Sequence, residues 1–189
     1  MTRLGAFLVP FLAHAFFVYY HFYDFGAYLH DSGLFASIMW RSGWELQMPA
    51  VLGGPPHMGT HFTPILSAIS LVTEVLPLNH VDALALFLGT SYGLVSLAVF
   101  LVLQRWYAPD PGEFWWPALV LAMGLSFSAL SLVIASYPHI EVSIVAFHLL
   151  FYYAFFRRRW ALAALFFVLA WAAREDSGFQ FTAVFGLLW

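Results

Sequence analysis

The feature that most restricts the fold of this chain is a series of long segments without any charged side chain. The first extends from Leu4 to Phe22, and further ones cover 83–103 and 115–135. A helix of about 20 apolar residues is long enough to cross the hydrocarbon core of a bilayer, and it satisfies its own backbone hydrogen bonds there. These segments predict an all-α protein, built as a polytopic transmembrane helical bundle.

The scarcity of charge leads to the same prediction. Only 9% of the 189 residues are charged and 62% are hydrophobic, whereas soluble domains carry about 25% charged residues. The net charge of −3 gives no basis for binding nucleic acid, and the absence of cysteine excludes disulfides and thiolate metal sites. We expect membrane lipids as partners. The sequence makes no prediction of protein partners or cofactors. A divalent metal is compatible with it, but no motif indicates one.

The N-terminus resembles a signal peptide, because a charge is followed by an apolar run. It lacks a small-x-small cleavage site, and bulky aromatic residues follow instead, so we interpret it as a retained first transmembrane helix. The expected location is the cell (inner or plasma) membrane.

The predicted organisation is a single integral membrane domain over 1–189. Its expected transmembrane helices cover 4–22, 82–103, 115–135, 138–156 and 159–174, with the start of another at 177–189. The last apolar run has about ten residues, too few to cross a bilayer. We therefore expect the chain to be the N-terminal fragment of a longer protein.

Residues 23–81 form a predicted outer loop with two surface-lying helices, 32–41 and 64–76. Asp31 is the expected cap of the first helix, whose apolar side fits a helix that rests on the membrane surface. Thr63 is the expected cap of the second, which at about 20 Å is too short to span. The glycines and prolines before His57 speak against a helix there, and Asp82 is the expected cap of the next helix.

If the 64–76 helix does not span, Arg3, Arg105 and the triplet 157–159 share one side of the membrane. The positive-inside rule makes that side cytoplasmic, together with the N-terminus. If it spans, the triplet moves outside. In the first arrangement the outer face gathers ionisable groups that indicate a functional cavity: Asp24, Asp31, His57, His61, Glu74, Asp82, His139, Glu141, Arg174, Glu175 and Asp176.

Several of these residues have two interpretations. Asp24 suits a general base, or it is a helix-end or solvated acid. His61, His139 and Glu141 suit a phosphate or metal site, although Glu141 also fits an ordinary helix cap. Arg174, with its neighbours 175–176, suits phosphate binding or a simple interfacial turn in which Asp176 is a cap.

Four motifs in order resemble a bacterial and archaeal membrane family known as domain of unknown function 2079. They are Tyr23-Asp24-Phe25-Gly26, His61-Phe62-Thr63-Pro64-Ile65, Pro138-His139-Ile140-Glu141 and Arg174-Glu175-Asp176-Ser177-Gly178. The chain departs from the family's pattern in the order of residues around His139 and in having Arg174 where lysine is usual. The resemblance covers nearly the whole chain, but only the N-terminal part of the family's usual length.

That family is similar to membrane glycosyltransferases of the GT-C fold, which use polyprenyl-phosphate-linked sugars. The resemblance implies a GT-C-like bundle with Asp24 and Glu141 as candidate catalytic residues, Asp24 as general base or acceptor-orienting acid. It implies a donor-phosphate or cavity site built from His61, His139, Arg174, Glu175 and Asp176, with no metal ligands. The expected function is sugar transfer on the outer face. The alternatives are a transporter with buried acids and histidines, or a non-catalytic membrane subunit.

Overall fold

The computed structural model describes residues 2–24, 31–42, 45–46, 57–107, 115–137 and 139–188. This described part is helical and contains no strand, which confirms the all-α prediction. Its helices, in chain order, are α1 Thr2–Tyr23, α2 Asp31–Ser42, α3 His57–Thr60, α4 Pro64–Val75, α5 His80–Tyr107, α6 Trp115–Ser126, α7 Ala129–Ser136, α8 Val142–Phe156, α9 Trp160–Ala173 and α10 Ser177–Leu188.

Two helices of the described part, α1 and α5, are long and apolar enough to cross a membrane. The pair α6 and α7 is bent by 42° and makes a third candidate if it is one broken span. The apolar helices α4, α8 and α9 are shorter, with 12, 15 and 14 residues, or about 18–23 Å at 1.5 Å per residue. Membrane association is therefore supported, and α8 and α9 are shorter than the segments predicted at 138–156 and 159–174.

The segment 115–135 is not the continuous helix that its composition predicts. The helix stops at Ser126, and Ser128 accepts a hydrogen bond from the Ser131 backbone N–H over 3.2 Å, which begins α7. The Ser131 hydroxyl in turn donates to the Leu125 carbonyl over 2.8 Å, at the end of α6. A serine cap and a satisfied carbonyl thus stabilise a break within the apolar run.

Helices α1 and α5 pack antiparallel at very short range. A Cβ atom added to Gly89 would lie 2.5 Å from the Cβ of Ala15, and one added to Gly93 would lie 2.9 Å from the ring of Phe7. The two glycines form a Gly-x-x-x-Gly pattern, which lets membrane helices approach closely. This pair is the central scaffold of the fold, because α6 and α8 also pack against α5.

The antiparallel arrangement separates acidic and basic side chains. At one end, the Tyr23 hydroxyl donates to Asp82 Oδ1 over 3.2 Å and accepts from Asn79 Nδ2 over 3.0 Å. At the other end, Arg105 of α5 and Arg157 after α8 line the same cavity. We call these the acidic end and the arginine end.

Helix α2 packs its apolar face against the protein rather than resting it on the membrane as expected. Phe35, Ile38 and Met39 are buried in one core with residues of α1, α4 and α5. Burial of this face by neighbouring helices removes it from both water and lipid. The apolar face of α2 therefore contacts protein, and the surface position expected for this helix stays a prediction.

Three local expectations also need correction. Asn79, not Asp82, caps α5, because its Oδ1 accepts from the Asp82 backbone N–H over 2.9 Å. Thr63 holds the cap position of α4, but its hydroxyl makes no cap hydrogen bond. His57 begins the helical turn α3 despite the preceding glycines and prolines. The predicted cap Asp31 has a side chain outside the described residues.

Candidate functional site

The site is centred on Glu141, just before the first residue of α8. One carboxylate oxygen, Oε2, lies 2.7 Å from His139 Nδ1, and the other, Oε1, accepts a hydrogen bond from Arg174 Nη1 over 3.1 Å. The backbone of Glu141 is already helical, and its side chain makes no cap hydrogen bond. The carboxylate is thus committed to two side chains rather than to its own helix, so the capping interpretation is wrong.

Arg174 holds its guanidinium between two carboxylates. It ends α9 in an extended conformation, with φ −166° and ψ 140°, which turns the chain out of the helix. Its Nε lies 3.4 Å from Asp176 Oδ1, an ion pair without a hydrogen bond. Both of these atoms are shielded from solvent and have no hydrogen-bond partner within the described part of the chain. The guanidinium is therefore held in place by two carboxylates, and its Nε–H makes no hydrogen bond.

A second ion pair lies beside the first. His61 Nδ1 is 3.5 Å from Glu175 Oε1, and both side chains are exposed. The single turn of α3 brings the His57 ring to 5.8 Å from the His61 ring, with the His61 backbone N–H donating to the His57 carbonyl over 2.8 Å. The spacing of four residues thus places both histidines on one side of a helical turn.

Phe35 of α2 lies between the two ion pairs, because it contacts a histidine beside each. Its ring meets the His57 ring edge-on at 5.9 Å and the His139 ring edge-on at 6.2 Å. The structure therefore brings together every predicted site residue except Asp24. We call this group the polar cluster: His57, His61, His139, Glu141, Arg174, Glu175 and Asp176.

The electrostatics keep Glu141 charged. Burial raises the pKa of its carboxyl, but the hydrogen bond from His139, a backbone N–H and the charges of His139 and Arg174 outweigh burial, so the pKa lies below its ordinary value. Ionised Glu141 can therefore hold Arg174 at neutral pH.

Glu175 and His57 are shifted by their neighbours. Burial raises the pKa of Glu175. Hydrogen bonds from backbone N–H groups and from the His61 side chain lower it by more, so the pKa lies below its usual value. Burial lowers the pKa of His57, the charge of His61 lowers it again, and Glu175 opposes both, with a net lowering. His57 is therefore a neutral imidazole at pH 7.

The cluster combines one guanidinium and three histidines with three carboxylates. Among the described residues, no group of three histidine or carboxylate side chains is arranged to hold a metal ion. Arg174 is the one guanidinium in the cluster, and His61 and His139, each paired to a glutamate, can also donate hydrogen bonds to an oxyanion. A phosphate fits this chemistry.

Asp24 lies apart from the polar cluster. It follows the end of α1, where its backbone N–H donates to the Tyr20 carbonyl over 2.9 Å, and its side chain is exposed. No contact among the described residues joins its carboxylate to the cluster. It is next to Tyr23, which lines an open cavity of about 320 Å³ with Trp40 and Asn79. The rest of its motif, Phe25 and Gly26, lies outside the described residues.

Two residues of the site, His57 and Phe35, are not among the predicted site residues. His57 lies four residues before His61, a spacing that fits one side of a helix. The glycines and prolines before His57 predicted a loop instead, so the spacing was not used. Phe35 has no signal beyond its place on the apolar face of α2. No protein-family model, curated protein or solved structure matches the chain.

Proposed function

We propose that this protein is a multi-pass protein of the plasma (inner) membrane, with a cytoplasmic N-terminus and a GT-C-like bundle. It transfers a sugar from a polyprenyl-phosphate donor to an acceptor on the outer face. The observation that carries the proposal is Arg174, held by Glu141 and Asp176 with unused donor capacity, at the same end of the bundle as Asp24. The motif resemblance contributes the identity of the donor.

The distribution of charge supports the orientation. The arginine end contains Arg3, Arg105 and the triplet 157–159, because α1 and α5 are antiparallel and Arg105 and Arg157 share a cavity. Cytoplasmic loops carry the excess of arginine and lysine in membrane proteins. The polar cluster and Asp24 then face outward, where lipid-linked sugars are consumed.

The proposed step is a displacement at the anomeric carbon of the donor sugar. The acceptor hydroxyl oxygen forms a bond to that carbon, the bond from the carbon to the phosphate oxygen breaks, and polyprenyl phosphate leaves with the electron pair. Asp24 takes the proton of the acceptor hydroxyl or orients that hydroxyl. The guanidinium of Arg174 stabilises negative charge that develops on the leaving phosphate.

The other residues of the polar cluster support Arg174. Glu141 and Asp176 fix the guanidinium from two sides, so that its remaining N–H groups point in defined directions. His61 and His139, each paired to a glutamate at 3.5 Å and 2.7 Å, supply further donors to phosphate oxygens. Glu175 keeps His61 in place.

A transfer assay tests the proposal. The full chain in native-like lipid is supplied with polyprenyl-phosphate-linked radiolabelled glucose, mannose or arabinose and with a cell-envelope extract as the source of acceptor, and loss of label from the lipid phase is measured. Wild-type protein should release label, Asp24→Asn and Arg174→Gln should release at least about 100-fold less, and Glu74→Gln should match wild type. Equal release by Asp24→Asn and wild type would sink the role of Asp24.

Orientation is tested separately, using the absence of native cysteine. Tyr137→Cys replaces a side chain that is 47% exposed near the polar cluster, and Arg159→Cys replaces an exposed one at the arginine end. Whole cells are treated with a membrane-impermeant thiol reagent. Labelling at 137 and not at 159 is expected, and the reverse would place the cluster in the cytoplasm.

A second candidate, a transporter, is favoured by one observation. The buried ring of His14 lies 4.1 Å from the Tyr92 ring and 5.4 Å from the Phe127 ring, at the break between α6 and α7. Broken helices and buried ionisable groups accompany ion pathways in transporters. Proton flux into liposomes that is lost in His14→Gln but kept in Asp24→Asn would favour transport. Flux no greater than in protein-free liposomes would exclude it.

A further inference from the structure

A cavity at the arginine end belongs to no part of the proposed transferase site. It has a volume of about 620 Å³, and its wall includes Val102, Leu149, Tyr152 and Phe156. Two cations, Arg105 and Arg157, also line it. The volume is in the range of ligand-binding pockets, and the combination of an apolar wall with two guanidinium groups indicates an amphiphilic, negatively charged ligand.

The two arginines come from different helices and converge on the cavity. Arg105 belongs to the last turn of α5, and Arg157 directly follows α8. Both side chains are exposed and have no ion-pair partner within the described ranges. Arg157 lies 6.0 Å from the centre of the Tyr153 ring, which orients it beside the opening.

The ring of Tyr152 forms part of the cavity wall. The Tyr152 hydroxyl is shielded from solvent and has no hydrogen-bond partner among the residues that the structure describes. A buried donor without a partner is costly. Because the hydroxyl is shielded from the cavity as well as from solvent, the ring of Tyr152 and not its hydroxyl is available to a ligand.

We propose that the cavity binds an anionic phospholipid, with an acyl chain against the apolar wall and the phosphate on Arg105 and Arg157. A free inorganic anion would gain nothing from the apolar wall, and a lipid without a phosphate would gain nothing from the two arginines. The cavity lies where α5 and α8 end, beside the arginine triplet, and the surrounding membrane supplies such lipids. This assignment does not depend on the transferase proposal, because the polar cluster lies at the opposite end of α8.

Native mass spectrometry of the full chain in detergent tests the proposal, with dioleoyl phosphatidylglycerol and dioleoyl phosphatidylcholine as probes. Wild type should bind the anionic lipid more tightly. Each arginine contributes roughly fivefold, so Arg105→Gln with Arg157→Gln should weaken phosphatidylglycerol binding roughly 25-fold. Phosphatidylcholine binding should weaken less, because the choline cation offsets the charge of its phosphate.

The matched control removes two neighbouring charges that do not line the cavity, Arg158→Gln with Arg159→Gln. An equal loss of phosphatidylglycerol binding in the control pair would overturn the proposal, since the attraction would then be a general effect of surface charge. Glycerol phosphate tests the role of the acyl chain, and binding as tight as that of phosphatidylglycerol would also overturn it. Leu149→Trp, which fills the cavity, should abolish lipid adducts, and unchanged adducts in a variant with a wild-type melting temperature would place the lipid elsewhere.

Discussion

Arg174 donates a hydrogen bond to Glu141 Oε1 over 3.1 Å, joining two segments that are 33 residues apart in the sequence. The contact fixes the connection between α9 and α10 to the start of α8. The two side chains are 36% and 33% exposed, so water screens the pair partly and its contribution to stability is modest. Its main effect is to orient the guanidinium.

A double-mutant cycle should measure this coupling. Glu141→Gln, Arg174→Gln and the double variant are compared with wild type by reversible unfolding in detergent. We expect each single variant to be less stable, and a coupling of about 1 kcal/mol between the two positions. Arg41→Gln removes an exposed cation of α2 and should change stability by less than about 0.5 kcal/mol. Additive effects of the two single variants would mean that the ion pair contributes nothing.

The lowered pKa of Glu141 predicts a loss of stability in acid. A carboxyl whose pKa is lower in the folded state stabilises the fold fully above its ordinary pKa of 4.5, and this contribution is lost as the pH falls through the folded value. Glu141→Gln should therefore flatten part of the decline in melting temperature below about pH 4.5. Glu74→Gln, which removes an exposed carboxyl of α4, is the control. A decline in Glu141→Gln as steep as in wild type would argue against the shift.

His57 predicts a second pH effect in a higher range. Its pKa is lowered by burial and by His61, so between its folded pKa and 6.5 the unfolded chain binds more protons than the folded chain. Stability from this group is complete above pH 6.5 and declines below it. The melting temperature should therefore fall as the pH drops below 6.5, and His57→Gln should remove part of that fall. His61→Gln should narrow the pH range over which the melting temperature falls, since it removes a charge that lowers the pKa of His57. An unaltered pH range would contradict an electrostatic coupling between His57 and His61.

The helical class and the grouping of the site motifs follow from the sequence. A long uncharged segment in a bilayer favours a helix. An even number of membrane crossings between two motifs returns the chain to the same side, and hence to the same end of the bundle. That reasoning selected Glu141, Arg174 and Asp176 for one cavity, and Arg174 lies within ion-pair distance of both acids. The individual partners were not predictable, because side-chain pairing depends on helix rotation, which apolar segments do not encode.

Where the sequence misled, a tertiary contact or a single side chain overrode local composition. Residues 115–135 carry no charged side chain and are mostly apolar, yet Ser128 caps a new helix. The apolar face of α2 looks fit for lipid, yet α1, α4 and α5 cover it. The turn at His57 forms after a run of glycine and proline. Asp24 was grouped with the other acids by topology, but topology gives only the end of the bundle.

The close contact of α1 with α5 makes a clear prediction for Gly89. A methyl group there would lie 2.8 Å from the Ala15 backbone and 2.5 Å from its Cβ, so the helices must separate. Gly89→Ala should destabilise the protein by about 1–3 kcal/mol, the usual cost of overpacking. Gly124→Ala is the matched control, since nothing lies within 4 Å of the added methyl, and it should be neutral or slightly stabilising. Equal melting temperatures would mean that the two helices do not approach closely.

Arg158 predicts a gain of stability on substitution. It has a positive φ of 56°, its backbone N–H donates to the Phe155 carbonyl and that of Arg159 donates to the Ala154 carbonyl, both over 2.9 Å. This is a Schellman motif, in which glycine normally holds the left-handed position. We expect Arg158→Gly to raise stability by about 0.5–1 kcal/mol in detergent, because a left-handed residue with a Cβ costs roughly 1–2 kcal/mol.

Two comparisons separate backbone strain from loss of charge at this turn. Arg159→Gly removes the same charge at a residue with a negative φ of −89°, so it relieves no strain and should not stabilise. Arg158→Val also removes the charge but adds a β-branched side chain, which the left-handed region disfavours, and it should destabilise. If all three variants shift the melting temperature in the same direction, repulsion within the arginine triplet, rather than the backbone of Arg158, controls the stability of this turn.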